Sequence, residues 1–64
     1  MYFTAIADNQ QRAVKENLND FNELQCFMNK MEKRGFLRVT VTAHKINTTD
    51  QVIIYNFNGQ SWEK

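Results

Sequence analysis

"DFNELQCFMNKMEKRGFLRVTVTAH", residues 20–44, changes its hydrophobic period in mid-course, and that change decides the fold. In its first half Leu24, Phe27, Met28 and Met31 recur at i, i+3, i+4 and i+7, with Phe21 one turn earlier, which is the spacing of one helix face. Asp20 followed by Glu23 offers a start resembling a capping box. Lys30, Lys33 and Arg34 suit the negative end of the helix dipole, and Gly35 stands where helices commonly end in a left-handed residue. The pattern predicts a helix over 20–34. Past Gly35 the period falls to two. Leu37, Val39, Val41 and Ala43 point one way and Arg38, Thr40, Thr42 and His44 the other, as in a strand with one buried face.

Working toward the C-terminus, Asn47 to Asp50 has the composition of a turn, and "QVIIYNF", residues 51–57, is rich in β-branched and aromatic residues. Asn58-Gly59 predicts a two-residue type I′ hairpin, with φ > 0 at both centres. Such a turn pairs Phe57 with Gln60 and Tyr55 with Trp62.

Toward the N-terminus two readings stand. One is a hairpin with strands at about 2–7 and 12–18 and a turn around Asp8, Asn9, Gln10 and Gln11. The other is a long helix over 9–34, since Val14 and Leu18 extend the later stripe. Asn17, Asn19 and Asp20 favour the hairpin, because their side chains prefer caps to helix interiors. The expected fold is therefore α+β. A small antiparallel sheet in ββαβββ order carries one helix on one face, and βαβββ with the long helix is the alternative.

With one helix, one face of the sheet is uncovered, and strand register decides which residues it shows. A four-residue loop at Asn47–Asp50 sets Thr42 opposite Tyr55 and exposes Arg38, Thr40, His44, Ile53, Tyr55, Phe57 and Trp62. A five-residue loop turns the aromatics under the helix and leaves Val52, Ile54 and Asn56 outside. Under the first register Arg38, Thr40, His44, Tyr55, Phe57 and Trp62 form the expected partner-binding face. Lys30, Lys33 and Arg34 are the candidate phosphate-contacting group.

Sixty-four residues make a single domain, 1–64, that buries only about 60% of its unfolded surface and draws roughly 3–5 kcal/mol from its core. The lone Cys26 excludes an intramolecular disulfide, and with His44 as the only histidine a Cys/His zinc site cannot be assembled. Cys26 falls opposite the apolar stripe, where an unpaired thiol suits a reducing cytoplasm. A net charge of +1 excludes binding to nucleic acid by charge alone, and equally an acidic mimic of DNA. No apolar run approaches the ~20 residues that span a membrane, and MYFTAIADNQQR is not built like a signal peptide.

No catalytic set, phosphate-cradling glycine loop or acidic metal cluster is legible, so neither enzyme activity nor a cofactor is expected. The profile fits a cytoplasmic protein-binding module, an inhibitor or adaptor that occupies a surface of a larger protein or forms a homodimer. Small phage or mobile-element proteins that modulate a host or defence enzyme share this scale, which would place the chain in the host cytoplasm. Aromatics beside Arg38 and His44 would suit the alternative, a binder of single-stranded nucleic acid.

Overall fold

Asp20 opens the helix. In the computed structural model, which describes residues 1–64, its carboxylate accepts from the Glu23 amide at 2.8 Å, and α1 runs Phe21–Lys33. Gly35 ends it at φ +92. The Gly35 amide donates to the Glu32 carbonyl at 3.0 Å and the Phe36 amide to the Met31 carbonyl at 2.9 Å, the paired bonds of a Schellman ending. This turn drives Phe36 into the core at 0% exposure. Leu37, expected on the buried side of the strand, is instead 55% exposed, just before the strand that begins at Arg38.

Five strands complete the α+β fold in ββαβββ order: β1 Tyr2–Asp8, β2 Ala13–Leu18, β3 Arg38–His44, β4 Gln51–Phe57 and β5 Trp62–Glu63. They form one antiparallel sheet in the order β2-β1-β3-β4-β5. The long helix over 9–34 does not form. Asn9 Oδ1 accepts from the amides of Gln11 and Arg12 at 2.8 and 2.9 Å, which turns the chain back before a helix can start.

The last hairpin uses the same device and corrects the expected two-residue turn. Asn58 Oδ1 accepts from the amides of Gln60 and Ser61, both at 2.8 Å, and the Asn58 amide donates to the Ser61 carbonyl at 3.0 Å. The loop therefore runs from Asn58 to Ser61 with positive φ at Gly59 alone, and Phe57 rather than Tyr55 stands opposite Trp62. An asparagine that caps its own turn through the side chain has no need of the left-handed backbone that a type I′ turn demands. A Cβ at Gly59 would meet nothing within 4 Å, so only its φ of +99 resists substitution. Gly59→Val is expected to lower stability by about 1–3 kcal/mol in urea denaturation. An unchanged midpoint would mean that the turn has another shape.

Between β3 and β4 the connection is longer than either expected loop. Thr42 pairs with Val52 and Val39 with Tyr55, and Lys45–Asp50 lies outside the strands with Asn47 at φ 62. This register puts Ile53, Tyr55 and Phe57 on the helix side and Val52, Ile54 and Asn56 on the open side. Three aromatic rings, Trp62 included, remove more apolar surface under the helix than Val52 and Ile54 could.

The core holds Phe3, Ala5 and Ala7 of β1, Leu18 of β2, Val39, Val41 and Ala43 of β3, and Phe36. The stripe Leu24, Phe27, Met28 and Met31 closes over them. The alanines of β1 let the helix approach its strand closely. Inward residues of β1 and β3 are buried, whereas those of β4 are only partly so. Helix cover fades toward β4 and β5.

Candidate functional site

That fading cover leaves an open groove of about 540 Å³ between α1 and the β4–β5 hairpin. Phe21, Met28, Tyr55, Phe57 and Trp62 line it, with Gln25, Asn29, Gln60, Ser61 and Lys64 as its polar complement. Phe21, the first residue of the helical stripe, is 55% exposed, so it belongs to the groove and not to the core. Phe57 meets Trp62 edge to face, with ring centroids 5.3 Å apart. The Trp62 indole Nε1 is shut off from solvent and has no hydrogen-bond partner. Leaving a buried donor unpaired costs about 1–3 kcal/mol. Trp62→Phe, which removes that donor and keeps a ring, is expected to change stability by less than about 1 kcal/mol, whereas Trp62→Ala should cost about 2 kcal/mol or more. Equal losses for the two variants would show that the indole N–H is bonded.

Cross-strand register arranges the open face in rows. Ala13, Asp8, Arg38, Asn56 and Glu63 form one; Lys15, Ile6, Thr40 and Ile54 the next; then Asn17, Thr4, Thr42 and Val52; and Tyr2 with His44 the last. The outer rows are tied by polar contacts. Arg38 clasps Asp8 through two bonds, Nε to Oδ1 at 2.9 Å and the second guanidinium nitrogen to Oδ2 at 2.7 Å. That hydrogen bonding holds the Asp8 carboxyl below its usual range and raises Arg38. His44 Nδ1 lies 2.8 Å from Asp50 Oδ2, its Nε2 lies 2.8 Å from Thr4 Oγ1, and Tyr2 stacks on the ring with centroids 4.4 Å apart. An acid, an imidazole and a hydroxyl in this order resemble a nucleophile relay in their connections alone. Here, however, the Thr4 hydroxyl donates to Asn17 Oδ1 at 3.0 Å, and neither the groove nor the depression on the other flank of the helix includes these residues. The network ties β1, β2, β3 and the Lys45–Asp50 loop together.

The six residues expected to share a binding face are therefore divided. Arg38, Thr40 and His44 lie on the open face, two of them engaged with acidic partners, while Tyr55, Phe57 and Trp62 line the groove on the other side. The reason is the register set by the longer loop. The platform of aromatics beside Arg38 and His44 is not assembled. Lys33 and Arg34 are exposed at the helix end, whereas Lys30 lines the opposite depression among Glu16, Asp20 and Glu23, with Cys26 at its wall. Nowhere do three His, Cys, Asp or Glu side chains converge as a metal site would require. No helix is long and apolar enough to cross a membrane.

Sequence reasoning missed the roles of Phe21, Gln25 and Met28 in the groove, and the signal was present for one of them. Phe21 is the terminal member of the stripe, at the helix start, where cover by a neighbouring element runs out. Nothing in the sequence announced the contacts of His44, since Thr4 lies 40 residues away and meets it only through the register of β1 and β3. The chain matches no known protein family, no curated protein and no solved structure.

Proposed function

We propose that this chain is a small non-enzymatic protein-binding module of the cytoplasm, acting as an inhibitor or adaptor by occupying a surface of a larger protein. One observation carries the reading: a groove with an aromatic floor and a polar rim lies open beside the helix of a domain with little core to spare. Aromatic residues and Met are the types enriched where proteins meet, and a polar rim around them is the usual anatomy of an interface. Cys26, exposed and unpaired, fits a reducing compartment.

Single-stranded nucleic acid remains the competing ligand class, through base stacking on Tyr55, Phe57 and Trp62. Against it, Arg38 faces the other way and is paired with Asp8, which leaves Lys64 as the one charged side chain lining the groove. A homodimer is the competing use of the same apolar surface, and light scattering at micromolar concentration separates it from a monomer awaiting a partner.

Affinity capture from the encoding cell, with and without nuclease, tests the reading. A protein should be retained after nuclease treatment and at high salt, and Phe21→Glu should lose it while keeping the wild-type melting profile. Capture that vanishes with nuclease, or that falls steeply as salt rises, would support nucleic acid instead.

A further inference from the structure

The two edges of the sheet differ in a way that identifies one of them as a binding element. On the β2 side the edge strand "AVKENL" carries Lys15 and Glu16, both exposed, and Asn17, residues of the kind that keep an edge from pairing with another chain. On the other side β5 spans only Trp62–Glu63 and pairs with Asn56 and Phe57 alone, so the edge of β4 from Gln51 to Tyr55 has no strand beside it. The segment "QVIIYNF" contains no charged residue.

Which backbone groups face outward follows from one bond. The Phe57 amide donates to the Leu37 carbonyl at 2.9 Å, toward β3. In an antiparallel strand the N–H and C=O of a residue point to the same side, and the side alternates along the chain. Ile53 and Tyr55 therefore also face β3, whereas Val52, Ile54 and Asn56 face outward. Asn56 meets Glu63 of β5, which leaves the N–H and C=O of Val52 and of Ile54 unpaired by any strand. These two large apolar residues are 62% and 51% exposed. On the helix side the same stretch borders the groove at Tyr55, on the side where Trp62 of β5 also lines it.

Resting on the protein-binding reading above, we infer that the free edge of β4, Gln51–Tyr55, is a strand-addition site for an extended polypeptide segment of the partner with apolar side chains at alternate positions. Such a segment continues the line of β5, antiparallel to β4, over about 17 Å at ~3.4 Å per residue. It takes up the four backbone groups of Val52 and Ile54. Its side chains fall alternately beside Val52 and Ile54 on the open face and on the helix side, where they reach the groove at Tyr55. A second copy of this chain fits less well. Two edges this short cover far less than the roughly 800 Å² per partner of a stable interface, whereas a larger partner adds the groove to the same footprint.

A phage-displayed library of random twelve-residue peptides, selected against the intact protein, tests this. Enriched peptides should share apolar residues at i and i+2. A synthetic copy should slow amide exchange at Val52 and Ile54 in the isotope-labelled protein. Ile54→Pro removes the outward N–H without touching the β3 ladder, and should weaken that peptide at least tenfold. Val52→Lys, which leaves the backbone free to fold, should weaken it in the same direction. Failure to enrich any peptide, enrichment at helical i, i+3, i+4 spacing, or undiminished binding by both variants would overturn the inference. If the cellular partner survives Ile54→Pro and Val52→Lys but not Phe21→Glu, strand addition is wrong and the protein-binding reading stands. If nuclease abolishes capture, the reading itself falls.

Discussion

Replacing Phe36 with alanine is expected to leave the protein largely unfolded at room temperature. Phe36 is 0% exposed and among the largest fully buried side chains. The Schellman turn at Gly35 places it in the core, and the Arg12 guanidinium lies 5.2 Å from its ring centroid. Truncating a buried Phe costs about 3–5 kcal/mol, through lost transfer free energy and the cavity left behind. A domain this small has roughly 3–5 kcal/mol from its core to lose. Loss of the cooperative thermal transition is the expected result. A melting temperature within a few degrees of wild type would show that Phe36 is not where the structure places it. Phe21→Ala, at the first member of the helix stripe, serves as the contrast. With Phe21 55% exposed, it should cost much less.

The second large effect separates neighbouring residues of β4. Ile53→Pro is expected to cost about 3 kcal/mol or more, because the lost N–H belongs to the ladder with β3 and the ring has no room there. Ile54→Pro should cost far less, since its N–H points to a free edge, a position where proline is tolerated within sheets. Equilibrium urea unfolding of the two variants reads the difference directly. Equal losses, or a greater loss at Ile54, would put β4 in the other register and the aromatic residues on the open face.

The contrast between these two sites also marks where the sequence was legible. The helix was readable because a stripe, an acidic cap and a terminal glycine all point to one element, and such agreement between levels makes a local reading dependable. The alternation of β3 was equally clear, and Asn17, Asn19 and Asp20 kept β2 from being taken into the helix. What stayed open was register. Asn47–Asp50 has turn composition, but Lys45 and Ile46 lie in the loop as well, so nothing local says where β3 ends and β4 begins. The apolar pattern does not help either, because "QVIIYNF" has apolar residues on both faces. Asn58-Gly59 misled for a physical reason, the ability of the Asn58 side chain to cap a wider turn. The candidate site inherited the uncertainty. Tyr55, Phe57 and Trp62 stay together in either register, but only the three-dimensional arrangement sets them beside Phe21 and Met28 and apart from Arg38 and His44.

Amide-resolved hydrogen exchange along β4 of the free protein tests the central claim most directly, since strand register and the free edge both appear in it. The Ile53 and Tyr55 amides, bonded to β3, should exchange slowly, while those of Val52 and Ile54 should exchange at rates near those of an unstructured chain. Slow exchange at Val52 and Ile54 with fast exchange at Ile53 and Tyr55 would contradict the register. Slow exchange at all four would show that the edge is already covered and not free to take a partner's strand.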